Sequence, residues 1–328
     1  MKIKQSTLWG AALLGAGSAI FFLAFALGGF DIARLSTQPP YLEKQFVSAA
    51  AVEQIRIDDS NMPLTFGVSP DSRVHVTYYE NEKEFYQIQD GSTLSFAKMT
   101  HWAWYDHFFN FTLQETKMTI LVPKNYRGSI TAKTANGAIE VQELAAQELR
   151  LRTSNGQVNA NSLRVGGLCS VESSNGQVTL SDLQAAGKLE VHSSNGAILG
   201  SGWSAQAMAI SSTNGRIELE NAAAQQSIAI DTSNGAIILQ NVTAQNAIDA
   251  QTFNDAIHLN ELAAGQGLTL TSSNGAIMGS IVGRLSDFTG SVRTSNSESN
   301  LPETMVGGAK QLEVHTSNGA IQIEFTEQ

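Results

Sequence analysis

The sequence predicts an all-β protein: a single-stranded β-solenoid (parallel β-helix) of about ten regular ~20-residue Asn-Gly coils, preceded by degenerate coils. Three observations carry that expectation. Asn136, Asn155, Asn175, Asn195, Asn214, Asn234, Asn254, Asn274, Asn296 and Asn318 recur at spacings of 19, 20, 20, 19, 20, 20, 20, 22 and 22. Eight of the ten are followed by glycine, and most are preceded by two hydroxyl residues, as in Thr153-Ser154-Asn155-Gly156. Apolar residues alternate with a period of two on both sides of each asparagine, which is the pattern of a strand with one buried face.

In chain order, residues 1–30 form the first segment. Gln5 to Phe30 carries no charge, and Leu8 to Phe30 is almost wholly apolar or small. As a helix those positions would span roughly 34 Å, enough for a hydrocarbon core of about 30 Å. The reading is one transmembrane helix, with Lys2 and Lys4 holding the N-terminus in the cytoplasm and the solenoid outside it, a single-pass location at the cell membrane. The alternative is a cleaved signal peptide ending near Ala24-Phe25-Ala26. Residues 31–45, with Pro39-Pro40, read as a linker.

Residues 46–128 read as degenerate β coils, an N-terminal cap with an aromatic loop. Ile55, Ile57, Leu64 and Phe66 stand around Asn61 as the apolar residues do around the later asparagines. A separate small β domain is the competing reading. Residues 129–328 are the regular coils. Six and four before each asparagine the chain is apolar, as at Leu149 and Leu151, or Cys169 and Val171. Three and five after it the chain is apolar again, as at Ile237 and Leu239, and a further inward residue follows at eight, among them Leu144, Leu163, Leu183, Trp203, Val242 and Leu262.

An Asn-Gly pair also marks a β-hairpin. A meander would alternate two kinds of turn, whereas one signal here returns once per coil, as stacked identical corners require. The ten asparagines are therefore a structural turn ladder, each side-chain amide bonding to those above and below at about 4.8 Å. The glycine is expected to supply a positive φ at the corner. Arg152 and Glu172 should be cross-strand neighbours.

Composition narrows function. The 20 Lys and Arg against 30 Asp and Glu give a net charge of −10, which argues against nucleic acid as a partner. Cys169 is the single cysteine, so no intramolecular disulfide forms. No catalytic residue, cofactor or metal site is expected. The outward acids Glu140, Glu172, Glu190, Glu218, Asp231 and Asp249 are scattered, with only Asp231 and Asp249 placed to be neighbours. His192, His258 and His315 lie far apart, and no metal-ligand spacing occurs.

Two surfaces are candidates for interaction. The segment from His101 to Phe111 is rich in rings, and Trp102, Trp104, Tyr105, Phe108 and Phe109 would cap the open apolar end, rest on a bilayer surface, or bind a partner or sugar. On the coils, Ala209, Ser211, Ala229, Asp231, Asp249, Gln251, Thr269 and Thr271 should form a flat outward strip, with Leu199, Ile238 and Met278 as exposed apolar points elsewhere.

The coils Thr153 to Val158 and Ser272 to Ile277, the N-terminal segment and the strand end Tyr78-Tyr79-Glu80 resemble the bacterial putative-adhesin β-strand-repeat family, a domain-of-unknown-function family of membrane-anchored cell-envelope proteins. The resemblance covers nearly all of the chain after the first segment. It implies a cell-envelope location, sometimes association with envelope-stress systems, and no established catalytic residues. Phe253-Asn254-Asp255 and Asn296-Ser297-Glu298 depart from the turn pattern and should mark local bulges. The function expected is a non-catalytic scaffold or interaction protein, adhesin-like or envelope-stress-associated. Its partners would be an envelope protein or glycan, and its own membrane through the N-terminal helix. The alternatives are a carbohydrate-active β-helix lyase or hydrolase, and a polymerising envelope scaffold, since little sequence follows the last coil at Phe325.

Overall fold

The computed structural model describes residues 5–27, 29, 39–49, 51–101, 114 and 116–327. Among them lie one α-helix, α1 (Gln5–Leu27), one short 3-10 turn (Leu285–Asp287) and a succession of strands forming a parallel β-solenoid of about nine turns. The chain divides into two compact units. The smaller comprises Met1–Glu43, Tyr79–Phe85 and Met99–Thr116, and the larger Lys44–Tyr78, Tyr86–Lys98 and Lys117–Gln328.

In the smaller unit the hydroxyl of Tyr41 donates to the buried carboxylate of Glu84 at 2.7 Å, and that of Tyr79 to Glu43 at 2.6 Å. Phe85 and His101 meet edge to face at 5.1 Å. The expectation of a transmembrane anchor is overturned here: among the described residues no helix is long and apolar enough to cross a membrane. The segment begins with Gln5-Ser6-Thr7 and carries Gly10, Gly15, Gly17 and Ser18, so its apolar residues do not run unbroken over the about 20 positions a hydrocarbon core requires. With the anchor falls the single-pass location built on it.

In the larger unit each regular coil contributes one strand before its asparagine and one after it, and each strand stacks in parallel register on its counterpart. Leu149 pairs with Cys169 and Cys169 with Leu189; Val158 pairs with Ile139 and with Val178. The apolar positions picked out by the period of two are buried along the stack, among them Leu149, Leu151, Val158, Cys169, Val171, Ile237 and Leu239. One coil cannot bury that stripe alone, so burial grows as neighbours stack. The inward residue eight after the asparagine is buried too, and the backbone shows why it changes phase. Residue seven has φ between 48° and 57° at Glu143, Ser162, Asp182, Asn221, Asn241 and Glu261, and 67° at Gly202. That left-handed residue turns the second corner of the coil, where Asn and Asp are tolerated better than most side chains.

Trp203 is 1% exposed, and its indole nitrogen donates to the Leu180 carbonyl at 3.0 Å. Room for the ring comes from Gly200 on the same face, where a Cβ would lie 2.5 Å from it.

The glycine after each asparagine has a different reason from the one expected. None of Gly137, Gly156, Gly176, Gly196, Gly215, Gly235, Gly275 or Gly319 has positive φ. Instead, a Cβ on any of them would lie 1.9–2.2 Å from a backbone oxygen of the adjacent coil. The corner stacks backbone on backbone, and a side chain does not fit between. The first hydroxyl of the turn signal is also structural. Thr153, Ser173, Thr232, Thr252, Ser272 and Thr316 are buried, and each donates to the corner carbonyl of the adjacent coil at 2.9–3.2 Å.

Both ends of the stack depart from chain order. At one end the strand Lys310–Thr316 lies between Gly267–Ser272 and Phe288–Thr294, although it follows both in sequence. The strand Thr304–Met305 then pairs antiparallel with Phe288–Thr294. The coil at Asn296 has only an isolated bridge, Ser299 to Ile321, where others have a second strand. That is why the regular turns fall short of the ten asparagines counted. At the other end Gln54–Asp58 lies between Ser129–Lys133 and Thr93–Thr100, and Leu64–Val68 between Ile139–Ala146 and Met118–Val122. His75–Glu80 pairs antiparallel with Met118–Val122. Antiparallel strands and side chains thus cover much of the outer edges. Asn300 donates to the Ile323 carbonyl at 2.9 Å and accepts from its N–H at 3.0 Å, standing in for a neighbouring strand.

Two outcomes follow from this packing. Gly156→Ala lowers unfolding free energy by about 3 kcal/mol in denaturant titration, because the added methyl meets backbone rather than a movable side chain. Deleting residues 309–328 removes hydrogen-exchange protection from Phe288–Thr294 as well, since its parallel neighbour is then absent.

Candidate functional site

The ten expected asparagines lie in one column at the first corner, joined by Asn61 as a further rung. In the order Asn61, Asn136, Asn155, Asn175, Asn195, Asn214, Asn234, Asn254, Asn274, Asn318, Asn296, each Nδ2 after the first donates to the Oδ1 of the rung before it at 2.5–2.8 Å. The last two exchange places because their coils do. The column passes through Asn254 despite Asp255, whose carboxylate accepts from the Ala256 N–H at 2.7 Å. In the first coil Asp59 takes the place of the buried hydroxyl. It accepts from the N–H groups of Asn61 and Met62 at 2.7 and 2.6 Å and from the Tyr86 hydroxyl, with the Lys98 ammonium at 3.9 Å.

Two outward faces flank this column. On the strands before the corner, one line runs Arg150, Ser170, Glu190, Ala209, Ala229, Asp249, Thr269, and the adjacent line Arg152, Glu172, His192, Ser211, Asp231, Gln251, Thr271. The eight-residue strip expected from the sequence is continuous within these lines. At its Ala209–Ser211 end a depression of about 380 Å³ opens between Glu172, Glu190, His192 and Ser211. On the strands after the corner a polar depression of about 580 Å³ is lined by Glu140, Gln142, Asn159, Asn161, Thr179 and Ser181. Leu199, Ile238 and Met278 share a line on this second face and are half-buried rather than exposed, since each is shielded by register neighbours such as Glu218 and His258.

The charges on these faces divide into paired and unrelieved. Arg152 meets Glu172 at 3.3 Å, Lys188 meets Glu190 at 2.8 Å, and Arg216 meets Glu218 at 3.1 Å. Arg164 bonds both oxygens of Asp182, and with Ser162 it holds that carboxyl below its usual range. Asp249 is the opposite case. Partial burial against the face raises its pKa first, and the charge of Asp231 raises it further. Cys169 is fully buried, and burial pushes its thiol up to about 12, so it remains a protonated apolar core group.

Among the described residues no group of three or more His, Cys, Asp or Glu is arranged to hold a metal ion. His192 reaches Ser211 at 2.9 Å and is remote from the other histidines noted. Trp102, Trp104, Tyr105, Phe108 and Phe109 lie outside the described residues. Sequence reasoning missed the buried hydroxyl column and the left-handed second corner. The first was signalled by the conserved spacing of Thr or Ser within the repeat itself, and the second by the frequent Asn, Asp or Ser seven residues after the corner.

The raised pKa of Asp249 has a sign that can be measured. The folded carboxyl holds its proton more tightly than the unfolded one, so its unfavourable contribution appears as pH rises from the usual Asp range through the folded value. Asp249→Asn therefore raises the melting temperature at neutral pH and leaves it unchanged in acid below both values, as followed by circular dichroism.

The Toastrack DUF4097 family model matches residues 52–253 and 168–324, the two overlapping matches together covering most of the chain. Among solved structures, the chain is similar to a putative adhesin from Bacteroides fragilis at 15% identity, covering 89% of this chain and 99% of that one with a TM-score of 0.43. It is also similar to a putative adhesin from Parabacteroides distasonis (13% identity, 88% and 99% coverage, TM-score 0.42) and to a putative lipid binding protein from the same species (13%, 88% and 98%, 0.38). No curated protein matches. The asparagine-cornered coils thus identify their own lineage: the chain belongs to the Toastrack DUF4097 family.

Proposed function

We propose that this protein is a non-catalytic, adhesin-like binding scaffold, and that the strip from Ala209 to Thr271 on the face before the asparagine corner takes an extended cell-envelope glycan. The observation that carries the reading is the strict register of that strip: Ala209, Ala229, Asp249 and Thr269 stack in one line, and Ser211, Asp231, Gln251 and Thr271 in the next. Neighbouring strands stand about 4.8 Å apart, so the strip repeats its polar groups along a straight axis. Small side chains in its middle let a ligand approach the sheet closely. The unrelieved carboxylates of Asp231 and Asp249 favour a ligand bearing hydroxyl donors.

A glycan suits this surface better than an added peptide strand. Backbone groups within the stack already bond to adjacent coils, so a partner pairing strand to strand finds no free edge on this face. Recognition must come from side chains, and the strip offers carboxylate, amide and hydroxyl groups for it.

The test is retention of the full-length protein on insoluble envelope polysaccharide, compared with an Ala229→Lys, Thr269→Lys variant. Both positions are exposed and outward, so circular dichroism should show an unchanged fold. The expected outcome is specific retention that weakens by about tenfold in the variant, equivalent to about 1.4 kcal/mol. Equal retention of both proteins, or retention of neither, overturns the assignment.

A further inference from the structure

Eight of the corner asparagines precede glycine, and in a flexible chain that dipeptide loses its side-chain amide readily. The glycine nitrogen gives its proton to solvent base and attacks the asparagine Cγ. A C–N bond closes a five-membered succinimide, the Cγ–Nδ2 bond breaks, and ammonia leaves. Water then opens the ring to aspartate or isoaspartate, so that amide plus water gives carboxylate plus ammonium with no change of oxidation state.

The folded corner opposes each part of that reaction. The attacking N–H of Gly137, Gly156, Gly176, Gly196, Gly215, Gly235, Gly275 and Gly319 is held by the hydroxyl three residues earlier at 2.9–3.3 Å. The leaving Nδ2 donates to the preceding rung of the column, and the Oδ1 that would rotate with it accepts from the following rung. Backbone stacking at the glycine leaves no space even for a methyl group, which blocks the local rotation that would bring nitrogen to Cγ.

The placement of residue types along the column is telling. Its two end rungs, Asn61 and Asn296, have a neighbour on one side only. Those two are followed by Met62 and Ser297, whose side chains slow closure of the ring. Every Asn-Gly pair occupies an interior rung bonded on both sides.

We propose that the corner column is a set of latent deamidation sites, locked while the coil is stacked and converted to succinimide and isoaspartate when it opens. Unfolding then becomes chemically irreversible, because each converted rung places a carboxylate, or an inserted backbone carbon, in a column built from amides. Opening begins at the ends of a repeat array, so Asn136 and Asn318, the outermost Asn-Gly rungs, react first in the folded protein.

The experiment incubates the full-length protein in mildly alkaline buffer, native and in guanidinium chloride, and maps peptides by mass for conversion at each asparagine. The expected result is conversion about a hundredfold slower in the fold at Asn175, Asn195 and Asn214, the ratio set by a rarely opened state. A native rate within about threefold of the denatured one at those rungs overturns the proposal. A second measurement uses Thr153→Ala, which removes the acceptor for the Gly156 N–H. Faster conversion at Asn155 than at Asn195 within the same folded molecule supports the hydroxyl as part of the lock, and equal rates refute that part. Should this variant not fold, the comparison of native and denatured wild-type protein still decides.

Discussion

The approach of one glycine to the backbone of the adjacent coil sets the geometry on which the rest of the structure depends. At each regular corner a Cβ would fall 1.9–2.2 Å from the neighbouring carbonyl, well inside contact distance. With the backbones that close, the asparagine amides can bond directly at 2.5–2.8 Å, and the buried hydroxyl can serve two coils at once. Each such bond contributes only about 1 kcal/mol net. Their repetition at one position in every coil is what fixes register, because a slip by one residue would remove glycine, asparagine and hydroxyl from their places together. Apolar burial supplies the driving force, and the corner decides which alignment receives it.

The interior accepts local variation as long as that corner is kept. Trp203 enters a run of regular coils otherwise filled by small and medium-sized residues, because Gly200 yields the space on the same face. Asp59 replaces the buried hydroxyl in the first coil and gathers two backbone donors, a tyrosine hydroxyl and an ammonium to balance its charge. A buried carboxylate needs that many partners, whereas a hydroxyl needs two. Asp255 stands in a glycine position while the amide column passes on either side of it unbroken.

The ends follow a different logic from the middle. A regular stack leaves a row of unpaired backbone groups at each end, which invites association with another chain. Here a coil distant in sequence is placed inside the last one, and a short antiparallel strand or the Asn300 amide occupies the outer edge. The same plan appears at both ends. Such an arrangement cannot form by adding coils strictly in chain order, so the terminal coils must settle after their later neighbours are available. It also bears on the faces: the lines of outward residues are straight through the regular coils, and only there do Ala209, Asp249 and Thr269 stand in one row.

By itself the sequence determined the class of fold, the length of the repeat, the inward residues and the asparagine column. Those are local or strictly periodic properties, since a period of two and a signal every coil leave few arrangements that bury the stripe. It also placed Arg152 beside Glu172 and assembled the strip on the outward face, because register follows once the asparagines are aligned. Tertiary structure alone decided the rest. The reason for glycine was steric rather than conformational, which emerges only when two coils are brought together. The exchange of Asn318 and Asn296 was hidden because each coil supplies its own asparagine at nearly the same spacing, and their order in space depends on which strand edges must be covered. The raised pKa of Asp249 likewise rests on desolvation against a face that exists only in the stack, and then on a neighbour one coil away, Asp231.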